Sequence, residues 1–215
     1  PPLKPMPHRR DVIGLCLNVA VMLFSTGWSG AGSANPSYAI AMHGKPALPA
    51  DFSQMPYANP DAPKGGRLVQ GVPGSFDSLN PFIVKGLALQ QIRGFVVESL
   101  MARGNDEPFT LYGLLADSID TDEARTYATF HLNPLARFSD GQPVHADDVL
   151  FSWQLLRDKG RPNHRQYYSK VATAEAINER TVRFDFGGAR DRELPLILGL
   201  MPILPKHAID AATFE

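Results

Sequence analysis

The sequence predicts an α+β fold, a mixed sheet with helices lying on it. Three observations carry this. Residues 127–132 alternate, with Tyr127, Thr129 and His131 on one side and Ala128, Phe130 and Leu132 on the other, the period-2 pattern of a strand. Residues 147–159 place Val149, Trp153 and Leu156 on one helical stripe, followed by Gly160 as a stop. Strand and helix patterns also mix along the chain without strict βαβ alternation, which argues against a purely parallel sheet.

The elements follow in order. Residues 42–66 are rich in Pro, Ala and Asp, with Phe52 and Tyr57 as aromatic punctuation, and read as an extended segment over the domain surface. Pro56, Pro60 and Pro63 argue against a helix there. Residues 67–72 (RLVQGV) alternate and read as a strand, and 75–82 (SFDSLNPF) as a loop. Residues 89–101 read as a helix, with Ile92, Phe95, Val96 and Leu100 on one apolar face. Strands are expected over 114–120, 127–132 and 181–186, with Asp122-Glu123 in a hairpin turn. Between strand and helix, Ser139-Asp140-Gly141 supplies a tight turn, because Asp bonds its own backbone and Gly accepts positive φ. Asp147 and Asp148 suit the positive end of the helix dipole. A short apolar helix over 193–200, an extended stretch over 201–205 and a final helix starting near Pro205 complete the reading.

The first 41 residues read as an export signal. Lys4, Arg9 and Arg10 form a basic region, and residues 12–24 a short apolar run. A small, polar stretch then ends in Ala39-Ile40-Ala41, which fits the small-x-small cleavage rule. The run is short for a membrane span, which needs about 20 apolar residues; an anchor that stays attached is the alternative. Arg9-Arg10 beside the apolar run also leaves a twin-arginine signal open. The single cysteine, Cys16, lies inside this leader, so residues 42–215 contain none, and neither disulfides nor thiol catalysis is expected.

Composition excludes several function classes. Residues 1–41 hold three of the 21 Lys/Arg and one of the 22 Asp/Glu, leaving 18 and 21, a formal net charge of −3. Charges are interspersed, with no basic stripe for nucleic acid. The six histidines are not spaced like metal ligands, so neither a metal nor a cofactor is expected. There is no Gly-x-Ser-x-Gly, and a nominal triad of Ser139, His145 and Asp147 uses residues that turn and capping roles already account for. Asp147 and Asp148, adjacent on a helix, point in different directions and cannot straddle a glycosidic bond. Gly65-Gly66 precedes a strand and so is not a phosphate loop.

Several blocks in order resemble family 5 of the extracellular solute-binding proteins, the peptide-binding components of ABC importers. They are Gly65-Gly66-Arg67-Leu68, Phe76-Asp77-Ser78-Leu79-Asn80-Pro81, Val97-Glu98-Ser99-Leu100, Leu114-Leu115-Ala116-Asp117-Ser118, Thr129-Phe130-His131-Leu132, residues 138–152, and Leu204-Pro205-Lys206-His207. Residues 59–66 and 112–116 are similar to the subgroup tied to import of microcin-C-type and related oligopeptides. Two positions depart from the pattern: Asn133 where the family has Arg, and His145 where it has Thr, a better helix cap.

The resemblance implies the N-terminal part of a two-lobed periplasmic-binding-protein fold, lobe I with its inserted subdomain, over residues 42–215. A second lobe is expected after Glu215. It implies a monomer that captures a peptide in the periplasm and hands it to permease subunits in the inner membrane, with no catalysis. It places ligand contacts at Lys85, Gly86 and Leu87, and at the subdomain residues His164, Tyr167 and Tyr168. From the residues alone, Gly86 reads equally as a plain loop glycine, and Tyr167 and Tyr168 as core-edge residues. Two other functions stay open: an exported hydrolase, which would need a nucleophile with its base, and a membrane-tethered sensor using the same fold.

Overall fold

The computed structural model describes residues 35–188 and 191–214. The basic and apolar parts of the expected leader lie outside the described residues. Two antiparallel sheets organise the rest. The smaller has strand order β1-β3-β2, from β1 (Ala39–Ala41), β2 (Met101–Arg103) and β3 (Thr110–Gly113). The larger runs β4-β5-β7-β6, from β4 (Ala116–Asp120), β5 (Tyr127–Leu132), β6 (Thr173–Asn178) and β7 (Thr181–Asp185). The helices are α1 (Arg93–Val96), α2 (Ala146–Lys159), α3 (Pro162–Tyr168) and α4 (Leu194–Gly199), with 3-10 turns at Gln90–Ile92 and Ala211–Thr213. The α+β class is as the sequence predicts.

β5 is the spine of the larger sheet. Its alternation buries Ala128, Phe130 and Leu132, and β4 and β7 flank it in antiparallel register. α2 lies across this sheet, and Trp153 meets Phe184 edge-on at 6.1 Å, with Phe130 behind Phe184 at 6.2 Å. Such edge-to-face pairs align the positive ring edge with the negative face. The two sheets are joined through Ile119, which exchanges backbone hydrogen bonds with Ser37 at 2.7 and 2.8 Å.

α2 begins where expected, and its start is built from the helix side. The Asp148 carboxylate accepts the His145 backbone N–H at 2.9 Å, satisfying a donor at the helix entrance. Its other oxygen accepts the Lys206 backbone N–H at 3.0 Å. One turn on, the buried Ser152 hydroxyl donates to the Asp148 carbonyl at 2.6 Å and accepts the Leu204 N–H at 2.8 Å. The two sequence blocks at 138–152 and 204–207 are thus halves of one contact. At the surface an ion pair from Lys206 to Asp147 (3.1 Å) and a hydrogen bond between His207 Nε2 and Asp140 (2.6 Å) extend it. Asn133 opens an Asx turn by accepting the Leu135 N–H at 2.8 Å, a role its short amide fills.

Three expected elements differ. Residues 67–72 form no strand, and Leu68 and Val69 are 78% and 75% exposed. An alternating segment becomes a strand only where an edge is free to pair with it. The helix expected over 89–101 shrinks to α1 with its 3-10 turn. Phe95 and Val96, on its expected apolar face, are 78% and 70% exposed, so nothing packs against that face to extend a short helix. The chain turns extended at Val97, and Leu100 is buried at the approach to β2 instead. In place of a helix from Pro205 there is one turn, closed by Ala208 and Ile209 N–H groups on the Pro205 carbonyl, before the Ala211–Thr213 turn.

The Ala39-Ile40-Ala41 triplet, read above as a cleavage site, is strand β1. All three residues are buried and pair with Tyr112, Leu111 and Thr110. Arg125, buried and at φ 57°, donates to the Ala41 carbonyl at 2.6 Å and the Arg192 carbonyl at 2.7 Å. The surface segment after β1 is pinned too: Tyr38 donates to the Leu48 carbonyl at 2.6 Å, and Phe52 meets Tyr112 edge-on at 5.1 Å.

Replacing Asp148 by Ala strands two backbone N–H groups, one at the helix entrance and one on the 204–206 strap. The expected loss is about 3 kcal/mol, read from the urea midpoint. Asp148→Asn keeps one acceptor oxygen and should lose about half as much.

Candidate functional site

A concave surface of about 1470 Å³ opens beside the contact between α2 and the strap. Its floor is apolar, built from Phe82, Leu115, Val144, Ile203 and Leu204, all buried. Its rim carries charge: Asp77, Lys85, Glu98, Arg137, Asp140 and Asp210. Mostly apolar walls with a few polar groups are the usual make-up of a small-ligand site.

The loop over 77–89 forms one wall and closes on itself. The Asp77 N–H donates to the Leu87 carbonyl at 3.0 Å, and Leu89 N–H to the Ser78 carbonyl at 3.1 Å. The Asp77 carboxylate accepts the Leu87 N–H at 2.8 Å. Gly86, at φ 91°, sits directly against this carboxylate, and a Cβ there would lie 2.7 Å from Oδ1. Here a glycine is required twice over, by backbone conformation and by space. At the base of the loop, Asn80 Oδ1 accepts the Phe82 N–H and Asn80 Nδ2 donates to the Phe214 carbonyl, both at 3.0 Å. Asn80 therefore fixes both the loop and the final 3-10 turn against the floor.

Six residues carry the ligand expectation, and the structure distributes them unevenly. Lys85 and Gly86 line the concavity. Leu87 is 59% exposed and lies outside the lining. His164 and Tyr168 are buried behind the wall, stacked with ring planes 2° apart and centroids at 5.6 Å. Phe82 joins the two groups, with one ring lining the floor and contacting His164 at 6.0 Å. Tyr167 is half-buried, its ring under the Lys170 ammonium at 4.7 Å, and Lys170 pairs with Asp191 at 2.6 Å. The lysine beside Asp191 holds that carboxyl below the usual range. Sequence reasoning missed Glu98, Arg137 and Asp140 as rim residues. Asp140 was read only as a turn residue, and Arg137 lies just before the block at 138–152.

His164 is the least satisfied polar group of this region. Its Nδ1 is buried without a hydrogen-bond partner. Burial first, and then the charges of Arg93 and Arg161, push its pKa down to about 4. Burial likewise raises the Tyr168 phenol. Both side chains are therefore neutral at pH 7, and they act as an apolar stack supporting Phe82. Among the described residues no cluster of three or more His, Cys, Asp or Glu side chains could hold a metal ion. No described helix is long and apolar enough to cross a membrane.

Comparison with known proteins gives consistent findings. Residues 110–214 match the model described as bacterial extracellular solute-binding proteins, family 5 middle. The chain is 49% identical over 195 residues to peptidoglycan-binding protein YepA of Agrobacterium fabrum (strain C58), covering 87% of this chain and 32% of that one. It is 38% identical over 168 residues to YejA of the same organism, a protein named for peptide binding, covering 78% and 27%. Among solved structures it is similar to NikA from Brucella suis in complex with Fe(III)-EDTA. That match has a TM-score of 0.53 at 21% identity, over 61% of this chain and 26% of NikA, and it bears on the fold alone. The chain spans about a third of the length of the curated relatives it matches.

Two outcomes test the site. Stability should fall from pH 6.5 toward 4, because the unfolded His164 binds a proton that the folded one refuses. The effect is absent above about 6.5, grows to about 3 kcal/mol near pH 4, and is missing in His164→Phe, so the difference between wild type and this variant across a urea series carries it. Gly86→Ala should cost about 2 kcal/mol through φ strain and the clash with Asp77. In an Asp77→Ala background the same change should cost less, since only the φ strain remains.

Proposed function

Because the chain belongs to family 5 of the bacterial extracellular solute-binding proteins, we propose that it is the ligand-capturing part of an ABC importer and takes peptide-bearing ligands. The observation that carries the reading most is the apolar concavity with a charged rim, walled by a loop that exposes Lys85 and Gly86. A peptide offers what such a surface can use. Its backbone and termini meet the rim charges, and its side chains meet the floor with little selectivity. Leu68, Val69, Phe76, Leu79, Phe95 and Val96 are exposed apolar side chains, and Phe95 and Val96 line the concavity itself. A second lobe, supplied by the rest of a protein as long as its relatives, would cover that face and close over the ligand by hinge motion.

The relatives named for peptide and for peptidoglycan binding support two forms of one ligand chemistry, free oligopeptides and the peptide stems of cell-wall fragments. A microcin-C-like peptide is the narrower form of the first. In this proposal Lys85, Gly86 and Leu87 contact the ligand directly. Tyr167 contacts it from the subdomain, while His164 and Tyr168 act from behind through Phe82. The protein works as a periplasmic monomer, exported by its leader, and docks on membrane permease subunits when loaded.

The test is a thermal-shift panel on the full-length protein with oligopeptides, peptidoglycan stem peptides, sugars and free amino acids. A ligand at a hundred times its Kd stabilises the native state by about 2.7 kcal/mol. A rise in melting temperature with the peptide-bearing compounds alone is expected. A rise with sugars alone, or with none of the panel, would reject the peptide reading.

A further inference from the structure

Ala39-Ile40-Ala41 satisfies the small-x-small rule in sequence, yet it is a structural strand. Its pairing with β3 covers one side of the smaller sheet, whose central strand buries Thr110, Leu111 and Tyr112. Ser37 extends the attachment through its paired hydrogen bonds with Ile119, which tie this strand to the larger sheet. The Ala41 carbonyl is also an acceptor for the buried Arg125 guanidinium, which is held by carbonyl oxygens at Ala41 and Arg192. A chain cut after Ala41 would lose the strand, both links to Ile119 and the Ala41 carbonyl that accepts from Arg125.

The sequence offers other bonds. Ser29-Gly30-Ala31 and Gly32-Ser33-Ala34 both place small residues at the two positions that a signal peptidase reads. They follow closely on the apolar run that ends at Phe24, whereas Ala41 lies well downstream. A signal peptidase reads small residues just beyond the apolar run of a leader, which favours these bonds over the one after Ala41.

We infer that the processing site of this protein is the bond after Ala31 or Ala34, and that β1 belongs to the mature protein. The inference rests on the export reading above. In the step, water adds across the amide bond. The carboxylate departs on the leader, and the new amino terminus is Gly32 or Asn35. The same outcome holds on either export route. A chain exported unfolded is cut near the apolar run, and a chain exported folded has Ala41 protected inside the sheet.

The test is N-terminal sequencing and intact mass of the full-length protein, expressed with its own leader in a Gram-negative host and recovered from the periplasm. An amino terminus at Gly32 or at Asn35 is expected. An amino terminus at Met42 overturns the inference and leaves export standing. A chain that retains its leader overturns the inference as well, since neither bond has then been cut. A second measurement does not depend on export: full-length forms beginning at Asn35 and at Met42 are melted side by side. The form from Asn35 should melt at the higher temperature, and equal melting temperatures would overturn the structural role given to β1.

Discussion

The contact between the start of α2 and the strap at 204–206 is the constraint on which the rest of the structure depends. Asp148 and Ser152 lie one turn apart on the same helix face, and both are buried. Asp148 accepts one N–H from its own helix entrance and one from Lys206, while Ser152 accepts the N–H of Leu204. Buried polar groups are stable only when paired, so this arrangement fixes the strap against the helix in one register. With the strap fixed, Ile203 is held to the Glu98 carbonyl, and Ile203 and Leu204 become the floor of the concavity. The geometry of the candidate site thus follows from the satisfaction of three backbone donors.

The opposite wall obeys a second constraint. Asn80 divides its amide between the loop over 77–89 and the final turn, and Gly86 allows the loop to close on the Asp77 carboxylate. Behind that wall the stack of Phe82, His164 and Tyr168 is apolar in effect although two of its members carry polar atoms. The unpartnered Nδ1 of His164 is the cost of that packing, and it makes the wall sensitive to acid.

Exposed apolar residues fall mainly between Leu68 and Val96. The same stretch holds the unpaired 67–72 segment and the shortened helix. These features share one physical cause: an alternating or amphipathic pattern is half of a contact, and the other half is not found among the described residues. The relatives are about three times as long as this chain, which is consistent with that covering surface lying in the remainder of such a protein.

Residue pattern alone determined β5, β7, α2 and α4 closely, because each buries a regular stripe whose period is local. It also determined the Ser139-Asp140-Gly141 turn, where Gly141 has φ 88°. The short strands β1, β2 and β3 were not legible, since three or four residues are too few to show a period, and β1 and β3 are buried on both faces. β6 was not legible either, since an exposed edge of Thr, Ala, Glu and Asn carries little apolar signal. Of the concavity, only its loop was legible: residues 75–82 read as a loop from their turn residues and Gly86 as a loop glycine, while the floor and the charged rim could not be read. Only the tertiary structure decided that Ala39-Ile40-Ala41 is a strand, that Asp148 and Ser152 hold a segment more than fifty residues away, and that His164 and Tyr168 stand behind the wall. Each of these depends on which surfaces meet, and a one-dimensional pattern specifies the surfaces without specifying their partners.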